Sequence, residues 1–143
     1  MTEYKGSVSV TSEEAVVVEI TGQLGSYVVE GWIDLAGLTD GVVRIREYVA
    51  VDGENYRLYD YMDYDSSLDA PAVRLGPMTL CGFMKYKATI QLLSGSSFEA
   101  KYGFVTRVVE VASNIYDLVN LLPSIVLPIA LGGIYVSLLK LMG

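Results

Sequence analysis

Histidine is absent from the 143-residue chain, and cysteine occurs once, as Cys81. Without histidine, the Ser-His-Asp and Cys-His nucleophile arrangements and the imidazole-based metal sites are excluded. One cysteine cannot form an intrachain disulfide, so the chain is not a disulfide-stapled secreted module. Cys81 stands in MTLCGFM, where it reads as a small buried hydrophobe. Basic residues are also scarce: ten Lys and Arg face 17 Asp and Glu, for a net charge of −7. No three of them cluster, so the basic patch that releases counterions from nucleic acid is missing. Lys85 and Lys87 alternate with Met84 and Tyr86, as on the wet face of a strand. There is no phosphate-binding loop and no Gly-x-Ser-x-Gly elbow, and no cofactor is expected. The first ten residues, MTEYKGSVSV, lack a basic stretch followed by an apolar one, so no signal peptide is expected there.

Valine, threonine and tyrosine, by contrast, dominate residues 4–110, with frequent alternation and turn residues at strand-length intervals. EAVVVEI (14–20) and SYVVEGWID (26–34) read as strands. GVVRIREYVAV (41–51) sets Val43, Ile45, Val49 and Val51 on one face and Arg44, Arg46 and Tyr48 on the other. Glu47 falls on the apolar face, which predicts a bulge or an exposed strand end there. Asp52-Gly53 supplies the turn of a hairpin whose return strand, ENYRLYDYM, points Tyr56, Leu58 and Met62 one way. KYKATIQLL, the turn SGSS and FEAKYGFVTRVVEV predict a second hairpin, with Tyr86, Ala88, Ile90 and Leu92 against Phe98, Ala100, Tyr102 and Phe104. Residues 59–71, where acidic and small side chains crowd, and 75–83 read as irregular. The sum is about eight antiparallel strands over residues 1–111, an all-β sandwich of jelly-roll or immunoglobulin-like topology.

Two features of this domain invite a functional reading. Asp63, Asp65, Ser67 and Asp69 alternate like the start of a calcium loop, but Leu68 and Arg74 stand where that loop needs glycine and glutamate. Asp60, Asp63 and Asp65 crowd on one segment with no opposing acid, which is a poor glycosidase pair. Tyrosine is abundant, at eleven residues. Tyr59 and Tyr61 are expected to share a strand face, with Tyr48, Arg44, Arg46 and Arg57 nearby on outward faces. Tyrosine and arginine are enriched at protein interfaces, so these six residues are the predicted subunit interface.

The chain then changes character. Beyond residue 110 the only charged side chains are Asp117 and Lys140. Ser113 or Asn114 can cap a helix, and Asp117 suits its positive end. From Leu118 the sequence runs through Leu121, Leu122, Pro123, Ile125, Val126, Leu127, Pro128 and Ile129. It continues through Leu131, Gly132, Gly133, Ile134 and Tyr135 to Leu138 and Leu139. As a helix this stretch reaches about 33 Å, the thickness of a bilayer's hydrocarbon core. Pro128 would kink it, and Gly132-Gly133 offers a flat strip for close helix packing. Tyr116, Tyr135 and Lys140 fit anchors at a membrane interface. Residues 112–143 are thus expected to be a transmembrane helix, or else a helix buried in the dry centre of a homo-oligomer. A helix capping the sandwich fits so long an apolar run less well.

Two function classes follow. One is a non-enzymatic structural subunit of a membrane-associated homo-oligomer, such as a virion capsid, spike or tail protein. The other is a cellular tail-anchored or surface module whose sandwich recognises a protein or carbohydrate.

Overall fold

Apolar residues recurring with period two require strands buried on one face. A computed structural model describes residues 1–110, and they form eight such strands. The helix expected over 112–143, and with it every predicted anchor residue, lies outside the described residues. Among the described residues no helix is long and apolar enough to cross a membrane.

The strands are β1 (Thr2–Val10), β2 (Ala15–Ile20), β3 (Ser26–Asp34), β4 (Gly41–Ala50), β5 (Tyr56–Asp65), β6 (Ala72–Leu80), β7 (Lys85–Gly95) and β8 (Phe98–Glu110). They form two four-stranded sheets, ordered β1-β8-β3-β6 and β2-β7-β4-β5. Successive strands change sheet at every step except β4 to β5. That is the jelly-roll order, one of the two topologies the sequence leaves open. The core lies between the sheets, where Ile20, Tyr27, Ile33, Ile45, Tyr86, Ile90 and Phe104 are fully buried. Tyr86 and Phe104 meet across the gap with ring centroids 6.5 Å apart. Gly31 on β3 makes room for this contact, since a Cβ there would overlap the Phe104 ring. Tyr27 donates to the Met84 carbonyl at 2.7 Å, and burial pushes its hydroxyl up to about 12.

Four expectations need correction. β7 and β8 do not form a hairpin, because they lie in different sheets. Their inward rows were correctly grouped, but they face each other across the core instead of pairing edge to edge. The irregular stretch expected at 59–71 is strand as far as Asp65, and that at 75–83 is strand as far as Leu80. Pro77, which gave the second its broken look, is tolerated because β6 is an edge strand and its ladder with β3 shifts between Val29 and Gly31. Cys81 is exposed, not buried: it opens the β6–β7 turn, where Met84 N–H donates to its carbonyl at 3.0 Å. Finally, the Tyr56, Leu58 and Met62 side chains do not form one row. The ladder between β4 and β5 shifts at Glu47/Tyr48, where a bulge was expected, but the extra residue is Tyr59 on β5. Leu58 therefore pairs with outward Tyr48 while Met62 pairs with inward Ile45.

Candidate functional site

The outer face of the β2-β7-β4-β5 sheet carries a connected set of polar and aromatic side chains. At one end Arg44 grips Asp63 with two bonds, Nε to Oδ1 at 2.7 Å and Nη2 to Oδ2 at 2.9 Å. The bond from Arg44 and its charge hold the Asp63 carboxyl below its usual range. The same guanidinium lies 4.7 Å from the ring centroid of Tyr61, which is 54% exposed. Next to it, Arg46 donates to Gln91 Oε1 at 2.8 Å and lies 3.5 Å from Glu14 Oε1.

Glu14 organises the middle of the face. Its Oε2 accepts from the Tyr48 and Thr89 hydroxyls, each at 2.5 Å. Burial pushes Glu14 up, but those two bonds and the charges of Arg46 and Lys87 outweigh it and hold the carboxyl low. Tyr48 moves up in turn, through burial and through donating to a carboxylate. Farther along, Lys87 Nζ sits 4.4 Å from the ring centroid of Tyr56 and 5.1 Å from that of Tyr48. Tyr56 donates to Glu19 Oε2 at 2.8 Å. Glu14, Val16, Tyr48, Tyr56, Lys87 and Thr89 together line an open basin of about 430 Å³. Chemically, this is an open surface of rings, guanidinium groups and carboxylates joined to one another by hydrogen bonds and cation–ring contacts.

Of the six predicted interface residues, Arg44, Arg46, Tyr48 and Tyr61 meet on this face. Tyr59 and Arg57 do not join them. Tyr59 lines an apolar cleft of about 470 Å³ with Val49, Val51, Pro77, Met78, Leu80 and Met84, between the β5 and β6 edges. The bulge separates it from Tyr61. Arg57 pairs with inward Val49, and its Nη1 donates to the Tyr56 carbonyl at 3.1 Å. At the bulge, Glu47 faces Asp60 across the ladder, and its Oε2 accepts from the buried Tyr86 hydroxyl at 2.8 Å. Burial raises the Glu47 pKa, and the charge of Asp60 adds to the rise.

Glu14, Gln91 and Thr89 were not singled out from the sequence, and Lys87 was placed on a wet strand face without a partner. The alternation in KYKATIQLL does put Lys87, Thr89 and Gln91 on one face, but it cannot say which strands flank them. The acidic segment is occupied locally. Asp65 Oδ1 accepts from Ser67 N and Oγ at 2.9 and 2.7 Å, and Asp69 Oδ2 accepts from Asp65 N at 2.8 Å. Among the described residues no group of three His, Cys, Asp or Glu is arranged to hold a metal.

No protein-family model and no curated protein matches the chain. Solved structures do resemble it. PirA is 11% identical with a TM-score of 0.50, over 75% of this chain and 96% of PirA. A protein of the disulfide-linked pili of Bacillus endospore appendages is 12% identical with a TM-score of 0.45, over 75% of this chain and 87% of its own. VP2 of the infectious bursal disease virus subviral particle is 8% identical with a TM-score of 0.41, over 75% of this chain and 31% of VP2. At such identities the likeness to PirA shows the fold alone, and the other two, below 0.5, carry no further argument.

Proposed function

We propose that the chain is a non-enzymatic structural subunit of a membrane-associated homo-oligomer, a virion protein of the capsid, spike or tail class. In this reading the sandwich (1–111) packs against its copies, and a hydrophobic C-terminal helix (112–143) anchors it in a membrane or in the centre of the assembly. The observation that carries the reading is the preset outer face, with Tyr61 exposed under an Arg44 that Asp63 already fixes. Tyrosine and arginine are the residues that supply interface energy, and side chains ordered in advance lose less entropy on docking. An exposed arginine–ring contact contributes roughly 0.5–1 kcal/mol, so a lattice must repeat it many times to hold. The uncharged run from Leu118 to Leu139 supports the anchor.

The test is to produce residues 1–112 and the full chain separately and to measure solubility and mass. The shorter chain should be soluble without detergent, and the full chain should require detergent or form a large assembly. A full chain that stays monomeric in plain buffer overturns the reading. Leucine at Gly132 and Gly133 should leave the sandwich folded and weaken association through the tail, because added bulk separates packed helices. Unchanged association would remove the glycine strip from the argument.

A second reading, a tail-anchored or surface binding module, is favoured by one feature. The Tyr48–Tyr56 basin, flanked by Glu14, Glu19 and Lys87, has the ring-and-acid character that a sugar can use. Saturable binding of a soluble glycan, lost in Tyr56→Ala, would select it.

A further inference from the structure

We propose that β5 is itself the lateral contact: it pairs antiparallel with β5 of a second copy, about a twofold axis at Leu58. The two β2-β7-β4-β5 sheets would then join into one eight-stranded sheet. This inference rests on the assembly reading above and names the contact that reading leaves open.

The first argument is exposure. β5 ends its sheet, and residues Arg57 to Asp63 are exposed on both faces. Leu58, Tyr59 and Tyr61 are 53%, 63% and 54% exposed along this one edge. The other edges fit less well. β6 is interrupted by Pro77, which has no N–H to donate, and β2 has six residues and a bulge at Val17. β1 offers Gly6, Ser7 and Ser9 where β5 offers large apolar side chains.

The second argument is charge complementarity. Because Tyr59 is an extra residue, Arg57 and Asp60 lie on the same face, opposite Val49 and Glu47 of β4. Neither joins an ion pair among the described residues. Each instead binds the backbone of its own strand: Arg57 Nη1 donates to the Tyr56 carbonyl, and Asp60 Oδ1 accepts from Tyr61 N–H at 2.8 Å. With Leu58 at the axis, Arg57 of one copy comes opposite the Tyr59–Asp60 bulge of the other, and Tyr56 comes opposite Tyr61. The Tyr61 N–H can then donate to the Tyr56 carbonyl of the second copy. This releases Asp60 and Arg57 to pair with each other across the axis. Twofold symmetry makes every such contact twice.

The experiment uses the full chain in mild detergent, with Cys81 replaced by serine so that a single introduced thiol reports. Leu58→Cys should form a disulfide-linked dimer at least roughly tenfold faster than Leu24→Cys, a control in the exposed β2–β3 loop. Adding Arg57→Asp should slow the linkage roughly tenfold by placing like charges together, and adding Asp60→Arg to that variant should restore it. In the unaltered chain, exchange of the Tyr61 amide should slow as protein concentration rises, which needs no variant to fold. An amide insensitive to concentration, a Leu58 thiol no faster than the control, or a charge swap that fails to restore linkage overturns the pairing. If light scattering still shows a large assembly in those cases, only the β5 contact is wrong. A chain that never assembles sinks the assembly reading as well.

Discussion

Strands β7 and β5 flank β4 on opposite sides, and both are long strands that carry tyrosine, yet one is core and the other is surface. On β7, Tyr86, Ala88, Ile90 and Leu92 are buried under the facing sheet, while Lys87, Thr89 and Gln91 are tied into the outer face. On β5 only Tyr64 is buried. Alternation fixes which side chains share a face, but depth depends on a strand's rank in the sheet. β7 is an inner strand facing β8, whereas β5 is an edge that the facing sheet leaves uncovered.

The largest expected effects lie on the β7–β8 side of this comparison. Phe104→Ala removes the ring that meets Tyr86 and should cost about 3–5 kcal/mol in urea unfolding. Gly31→Ala pushes a methyl group into the same ring from β3 and should cost about 1–3 kcal/mol. Should either prove as mild as a β5 surface substitution, the contrast between the two strands collapses.

Glu47 sits where the regions meet, inward on β4 with the β5 bulge opposite it. Burial raises its folded pKa above the unfolded value near 4.5. Its contribution to stability is therefore fully present below that value and is lost as pH rises through the folded pKa. Asp63 and Glu14 have the opposite sign: their lowered pKa values stabilise at neutral pH and are lost on acidification. Glu47→Gln keeps an acceptor for the Tyr86 hydroxyl but cannot ionise. Relative to the wild type, its urea midpoint should gain as pH rises from about 4.5 toward neutral, because the Glu47 contribution is removed while those of Asp63 and Glu14 remain in both. Identical slopes would mean that Glu47 is solvated and belongs with β5, not with the core.

How much of this was legible in the sequence follows from the physics of each feature. β3 was bounded correctly because SYVVEGWID is rich in β-forming residues and lies between two turn-rich segments. The register shift at Glu47 was legible because a carboxylate on an apolar row breaks the pattern. The extra residue on β5 was not, because Tyr59 is as good a strand former as its neighbours. The β7–β8 hairpin failed because a short polar turn, SGSS, is compatible both with pairing in one sheet and with crossing between two. Half of the outer-face network was missed because Glu14, just before β2, Tyr48 on β4 and Thr89 on β7 are far apart in sequence, and their adjacency is set only by topology.

The smallest expected effect on stability is the most informative about function. Tyr61→Ser removes an exposed ring whose contact is with Arg44, and Arg44 keeps its two bonds to Asp63. Unfolding free energy should change by less than about 0.5 kcal/mol. Association of the full chain should nonetheless weaken, because Tyr61 lies both on the outer face and along the β5 edge. Tyr59→Ser, which leaves the Arg44–Tyr61 contact intact and alters the β5 edge and the cleft between the β5 and β6 edges, should also leave stability nearly unchanged. Its effect on association should be smaller than that of Tyr61→Ser if the outer face carries the contact, and equal or larger if the β5 edge or the cleft does. Sedimentation of the two single variants at matched concentration separates these outcomes. Association unchanged in both would leave the tyrosine-bearing surface without a part in assembly.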